Sequence, residues 1–326
     1  MKKRILTVLL ITASIFLLAA CGKEEAPVTE VVVIPTNTAI PPTEIPKMQP
    51  GEPPPQYERT LEDADSSIKA SEKRAVTGDN YLNNLYERPF TQQEMEYQPD
   101  LNILTLSIAS DEVFYYFALE LEDVDPLSST LTGTYGIEFD RTETGRGDLL
   151  VTVFRPTAEW SMENLTVYVD ENVTVGGVKP IVAEVGYEEN GYTSTVPLEG
   201  ETVAWARLSP DDPTTIQFAI SRVLLGDPEE FLWGGWADGG VNDPALFDYN
   251  DHFGMSEAGS PILGEDYPVK AIYSLDNTCR LPYGAAELFN VPGMCLSIPV
   301  PEEHQVVCVC VRRCLTHVGC CEWSCE

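Results

Sequence analysis

Three stretches of this 326-residue chain hold residue types that could do chemistry, and carboxylates recur in all of them. The first is Asp140-Arg141-Thr142-Glu143-Thr144-Gly145-Arg146-Gly147-Asp148, with acids set around glycines. Calcium takes about six to eight hard oxygens, so Asp140, Glu143 and Asp148 are candidate Ca2+ ligands. Counted from Asp140 as an EF-hand loop, the sixth position is glycine as required. The third and fifth are threonines and the twelfth is Val151, so the loop is not an EF-hand. A hairpin with turn-favouring Asp and Gly competes with the cation reading. The second stretch, Asp170 to Gly177, offers Asp170 and Asn172 as metal ligands, again against a plain turn. The third runs from Trp233 to Pro244 and on through Asp248-Tyr249-Asn250-Asp251-His252-Phe253. Carbohydrate recognition needs flat aromatic faces beside carboxylates and amides. Trp233, Trp236, Asp238, Asp243, Asp248, Asn250 and Asp251 supply both; the alternative is a structural loop capping the fold. If 231–236 is a strand, Trp233 and Trp236 are an odd number of residues apart and point to opposite faces, one toward ligand and one into the core.

Catalysis finds little to work with. His252 is the only histidine outside the C-terminal tail, and no Gly-x-Ser-x-Gly elbow, His-Glu-x-x-His helix or phosphate-cradling glycine loop is present. A carboxylate pair could hydrolyse glycosides. Among 52 acidic residues, however, some pair can always be found. The same acidity, set against 20 Lys and Arg, argues against nucleic acid as a partner, because phosphate backbones demand cations. It fits a soluble, self-repelling surface.

These residues must be carried to their place by the rest of the chain. At the N-terminus, Lys2, Lys3 and Arg4 precede an uncharged run from Ile5 to Ala20. That is the layout of an export signal, and the run is short for the ~20 apolar residues of a membrane span. It ends in Leu18-Ala19-Ala20-Cys21, which resembles the bacterial lipobox. The resemblance implies cleavage after Ala20 and lipidation of Cys21, hence an extracytoplasmic protein anchored to the cell membrane or outer membrane. An ordinary cleaved signal or an uncleaved anchor is the alternative. Residues 21–60 then form a lipid anchor and tether. Nine prolines between Gly22 and Thr60, with no means of burying a core, predict an extended, disordered spacer.

Residues 61–99 read as a transitional segment packing on the domain, helix-friendly from Leu61 to Ala75. From 100 to 278 the pattern becomes about eleven short strands with turns between them and no long amphipathic helix. That predicts a mainly β domain: an antiparallel two-sheet β-sandwich, jelly-roll or immunoglobulin-like. Here Asp100-Leu101-Asn102-Ile103, the hairpin through Val113–Leu121, and Tyr135-Gly136-Ile137-Glu138-Phe139-Asp140 leading into Gly145-Arg146-Gly147-Asp148 resemble the DOMON-like and carbohydrate-binding family 9-like sandwiches. The resemblance implies a ligand-binding sandwich, often for sugars and sometimes for haem, with calcium in some members. No Met/His pair suits haem.

Residues 279–326 form a Cys-rich extension. With Cys21 lipidated, eight cysteines remain, all from Cys279 onward, and an even number in an exported chain reads as disulfides. Cys279 and Cys295 flank a 15-residue loop and are expected to pair. Cys308, Cys310, Cys314, Cys320, Cys321 and Cys325 crowd the end. Three disulfides lead; a thiolate metal site with His317, or a tail of non-native sequence, are the alternatives. Together these readings predict an envelope lipoprotein displaying a ligand-binding sandwich, carbohydrate-binding and calcium-stabilised. A membrane-anchored carboxylate hydrolase and a structural or adhesive envelope protein are the rivals.

Overall fold

Alternation of apolar and polar residues is what sorts this chain into two layers. A computed structural model of the protein describes residues 47–73, 86–171, 175, 191–192, 194–245, 273–284, 291, 293–295, 310–314 and 321–325. The export segment, Cys21, Asn172, Asp248, Asn250, Asp251, Cys308, His317 and Cys320 lie outside them.

The protein is mainly β, with two antiparallel sheets forming the expected sandwich. The smaller sheet is ordered β1 (Arg59–Glu62), β3 (Ile103–Ser110), β4 (Phe114–Leu121), β10 (Thr215–Ser221), β9 (Ala204–Leu208). The larger is ordered β2 (Tyr86–Arg88), β12 (Leu275–Asn277), β11 (Phe231–Asp238), β5 (Thr134–Asp140), β6 (Leu149–Phe154), β7 (Leu165–Val169), β8 (Ser194–Thr195). In addition, β13 (Leu281–Tyr283) pairs with β11. A separate hairpin joins β14 (Cys310–Cys314) to β15 (Cys321–Cys325).

Between the sheets lie every second residue of the central strands: Tyr115, Phe117 and Leu119 of β4, Ile216, Phe218 and Ile220 of β10, Tyr135, Ile137 and Phe139 of β5, and Phe231 and Trp233 of β11. Burying one such side chain is worth roughly 1.5–3 kcal/mol, so the shared layer dominates the stability. Phe117 of the smaller sheet meets both Phe139 and Trp233 of the larger, at ring-centroid distances of 5.4 and 5.3 Å.

The sandwich reaches further toward the N-terminus than the domain boundary near residue 100. Residues 61 and 62, expected at the start of a helix-friendly segment, extend as the end of β1 along β3, Arg59 opposite Ile108 through Glu62 opposite Thr105. An open sheet edge offers a row of unpaired amides and carbonyls, whereas a short helix must meet its nucleation cost alone. Among the described residues of 61–75, only Ser67–Ala70 is helical (α1). The transitional segment also contributes β2 to the larger sheet. Met48, inside the expected tether, already packs on the smaller sheet.

Candidate functional site

The two tryptophans of the third stretch sit on opposite faces of β11, as their spacing requires. Trp233 is in the core. Trp236 faces outward yet is only 2% exposed, and its Nε1 donates to Glu138 Oε2 at 3.3 Å. Both rings are therefore covered. Asp238 is also buried, accepting from the amides of Gly240 and Val241 at 2.8 and 2.9 Å and from Asn242 Nδ2 at 2.8 Å. It closes the loop rather than facing a ligand. Asp243 is exposed and accepts from the Ala245 amide.

The acidic loops behave in the same way. Asp140 is fully buried and accepts from the Thr142, Thr144 and Gly145 amides and the Thr142 hydroxyl, the Gly145 bond being 2.6 Å. Asp148 accepts from the Arg141 amide and from Arg141 Nε at 2.7 Å. Burial pushes the Asp148 carboxyl up, and Arg141 pulls it back. Asp170 accepts from the Val175 amide. Glu143 sits at a left-handed φ of 56°. Among the described residues no three of His, Cys, Asp and Glu gather as a metal-binding group. The carboxylates close their own turns and one faces a guanidinium, so as arranged these residues do not fit a calcium ion.

What the outer face of the larger sheet does hold is a dry polar network. Glu138 of β5 and Arg280 form an ion pair at 2.8 Å, each side chain 1% exposed. The Tyr192 hydroxyl donates to Glu138 Oε1 at 2.7 Å, and Arg280 NH1 donates to the Gly145 carbonyl at 3.1 Å. Burial pushes Glu138 up, opposed by Arg280, Tyr192 and Trp236. Gly147 is small of necessity: a Cβ there would strike Glu138 and the Tyr192 hydroxyl. Arg280 follows Cys279, whose disulfide to Cys295 is formed as expected, with Cα atoms 4.9 Å apart. The network and the disulfide together pin the start of the C-terminal extension to the sheet.

The outer face of the smaller sheet is built differently. Phe114 and Tyr116 of β4, Ala219 of β10 and Trp205 of β9 form an aromatic surface with Trp160 beside it. Residues 47–54 lie across it as a strap. Trp205 Nε1 donates to the Met48 carbonyl at 3.0 Å, and Trp160 Nε1 to the Gly51 carbonyl at 3.2 Å. The Tyr116 hydroxyl donates to Asp111 Oδ2 at 3.0 Å, and burial pushes it well above its ordinary value. Arg207 of β9 stacks 4.4 Å from the centroid of Trp160 and grips both carboxylate oxygens of Glu52, at 3.1 and 2.6 Å. Those hydrogen bonds hold the Glu52 carboxyl below its ordinary value. An open groove of about 340 Å³ begins where the strap does, lined by Lys47, Met162, Leu165, Val167, Val196 and Leu198.

No protein-family model, curated protein or solved structure matches this chain. Function must therefore be argued from the two faces themselves. Sequence reading missed Trp160, Trp205, Arg207 and Tyr116. A signal did exist: Trp205 and Arg207 are two apart in a strand and so share a face. Nothing local tied Trp160 to them, because it lies in the turn region after β6.

Proposed function

We propose that this chain is a cell-envelope lipoprotein whose anchored β-sandwich binds an extended extracytoplasmic ligand across the outer face of its smaller sheet. The observation that carries this reading is the pair of half-buried indoles, Trp160 and Trp205, whose N–H groups point at successive acceptors on one extended chain. Half-buried tryptophans with a directed N–H and a neighbouring arginine are the side chains that dominate recognition surfaces. The larger sheet's face supports the reading less well, since its tryptophans are covered. The anchor rests on the lipobox at 18–21 and the carbohydrate class on the resemblance.

Two experiments test the parts separately. Cys21→Ser should abolish incorporation of a clickable palmitate analogue and release the chain from the membrane fraction; retention with no lipid on the wild type sinks the anchor. A glycan array probed with the wild type and with a Trp160→Ala/Trp205→Ala double variant tests the ligand: binding unaffected by the double change would remove it from this face. The calcium part of the reading requires the Asp140 and Asp148 carboxylates to leave their present donors. Thermal melting with calcium and with EDTA decides it, and identical curves would retire it.

A further inference from the structure

We propose that the smaller sheet's outer face is a recognition site for polyproline II peptides that carry a carboxylate, and that residues 47–54 are its occupant in cis. The inference rests on the binding-module reading and names the ligand class. A polyproline II chain has three residues per turn, so carbonyls three apart face the same side, about 9 Å from one another. The two carbonyls taken by the indoles are those of Met48 and Gly51, three apart. The sequence favours that conformation locally. Pro50 fixes its own φ, while Gln49, Glu52, Pro53 and Pro54 each precede a proline and are held out of the helical region. Met48, Pro50, Pro53 and Pro54 are partly buried, whereas Lys47, Gln49, Gly51 and Glu52 are exposed. The chain is gripped through carbonyls and proline faces, and one charge is read: Glu52, by the bidentate Arg207.

Donors from aromatic side chains to the carbonyls of a proline-rich segment are how polyproline ligands are held in general. Because the strap continues directly into β1, it competes as an intramolecular ligand at an effective concentration on the order of millimolar. The intact protein is therefore self-blocked, and a competing peptide gains access when the strap lifts. Such a peptide has two sources, the tether of a second copy or a proline-rich segment of another envelope protein.

The test uses the full-length chain in detergent micelles, with a specific protease site inserted between Pro55 and Gln56 and cut after folding. A fluorescent synthetic peptide of residues 45–55 is titrated by anisotropy. The cut chain should bind it at least about ten-fold more tightly than the uncut chain, as loss of the intramolecular competitor requires. A peptide with Glu52→Lys, or a cut chain with Trp160→Ala and Trp205→Ala, should lose that gain. A cut chain that keeps its circular dichroism but ignores the peptide, or that takes the Glu52→Lys peptide equally well, overturns the proposal. If cutting unfolds the protein, the uncut Glu52→Ala variant replaces it: peptide binding stronger than wild type supports the site, and unchanged binding overturns it. Glycan binding at this face without peptide binding overturns this inference and leaves the binding-module reading standing. Failure of both ligands removes both. Light scattering of the uncut chain separates the two sources when the site is real: strap exchange between copies gives dimers, and a foreign partner leaves monomers.

Discussion

The two outer faces of this sandwich are closed by opposite means. On the larger sheet a buried ion pair, Glu138 with Arg280, is sealed under Trp236 and Tyr192. On the smaller sheet a proline-rich strap lies over half-buried aromatic rings, its one ion pair 7% exposed at Arg207 but 76% exposed at Glu52. A buried charge left without its partner is expensive, so the first closure is fixed. A wet ion pair is worth little, so the second can open. The contrast separates a face that holds the fold from a face that can exchange its cover.

Breaking the fixed side should cost most. Arg280→Ala strands Glu138 in the dry layer and should destabilise by about 3–5 kcal/mol in urea unfolding, while Arg280→Met with Glu138→Gln should lose far less. If the single change is no worse than the double, the network is not dry. Next comes the neighbouring bridge: Cys279→Ser should cost about 3 kcal/mol, and reductant should lower the wild type's melting point by a matching amount. On the removable side, Trp160→Ala should cost about 1–2 kcal/mol globally, since a half-exposed ring loses one hydrogen bond and one cation–π contact. The same change should sharply increase proteolysis within 47–57. Equal protease resistance would mean that the strap is held elsewhere.

The smallest effect is that of pH on the strap. Arg207 depresses the Glu52 carboxyl below its ordinary 4.5. The contribution is therefore fully present above that value and lost as pH falls through the depressed one. Strap protection should weaken in acid, by less than about 1 kcal/mol. Glu52→Gln should flatten the profile, and a profile unchanged by that substitution would assign the acid response to another group.

Much of the fold was legible because strands with one buried face write a period of two into the sequence. Leu165–Val169 has the bounds its alternation suggests, and the opposite facing of Trp233 and Trp236 follows from counting. Helix-friendly composition after Leu61 misled, because edge pairing with β3 outweighs local propensity in so short a segment. The site was the harder part. Acids around glycines look alike whether they close a turn or hold a cation. Asp140, Asp148 and Asp238 close turns, since the nearest donors are the amides of their own loops.

By itself the sequence determined the class of fold, the opposite facing of Trp233 and Trp236 and the pairing of Cys279 with Cys295, since periodicity and short loops are local. Tertiary structure alone decided which carboxylate is dry and which tryptophans lie under the strap. Glu138 and Arg280 are 142 residues apart, and Arg207 and Glu52 155. No local pattern encodes such pairs, because each charge acquires its environment only after the sheets have packed.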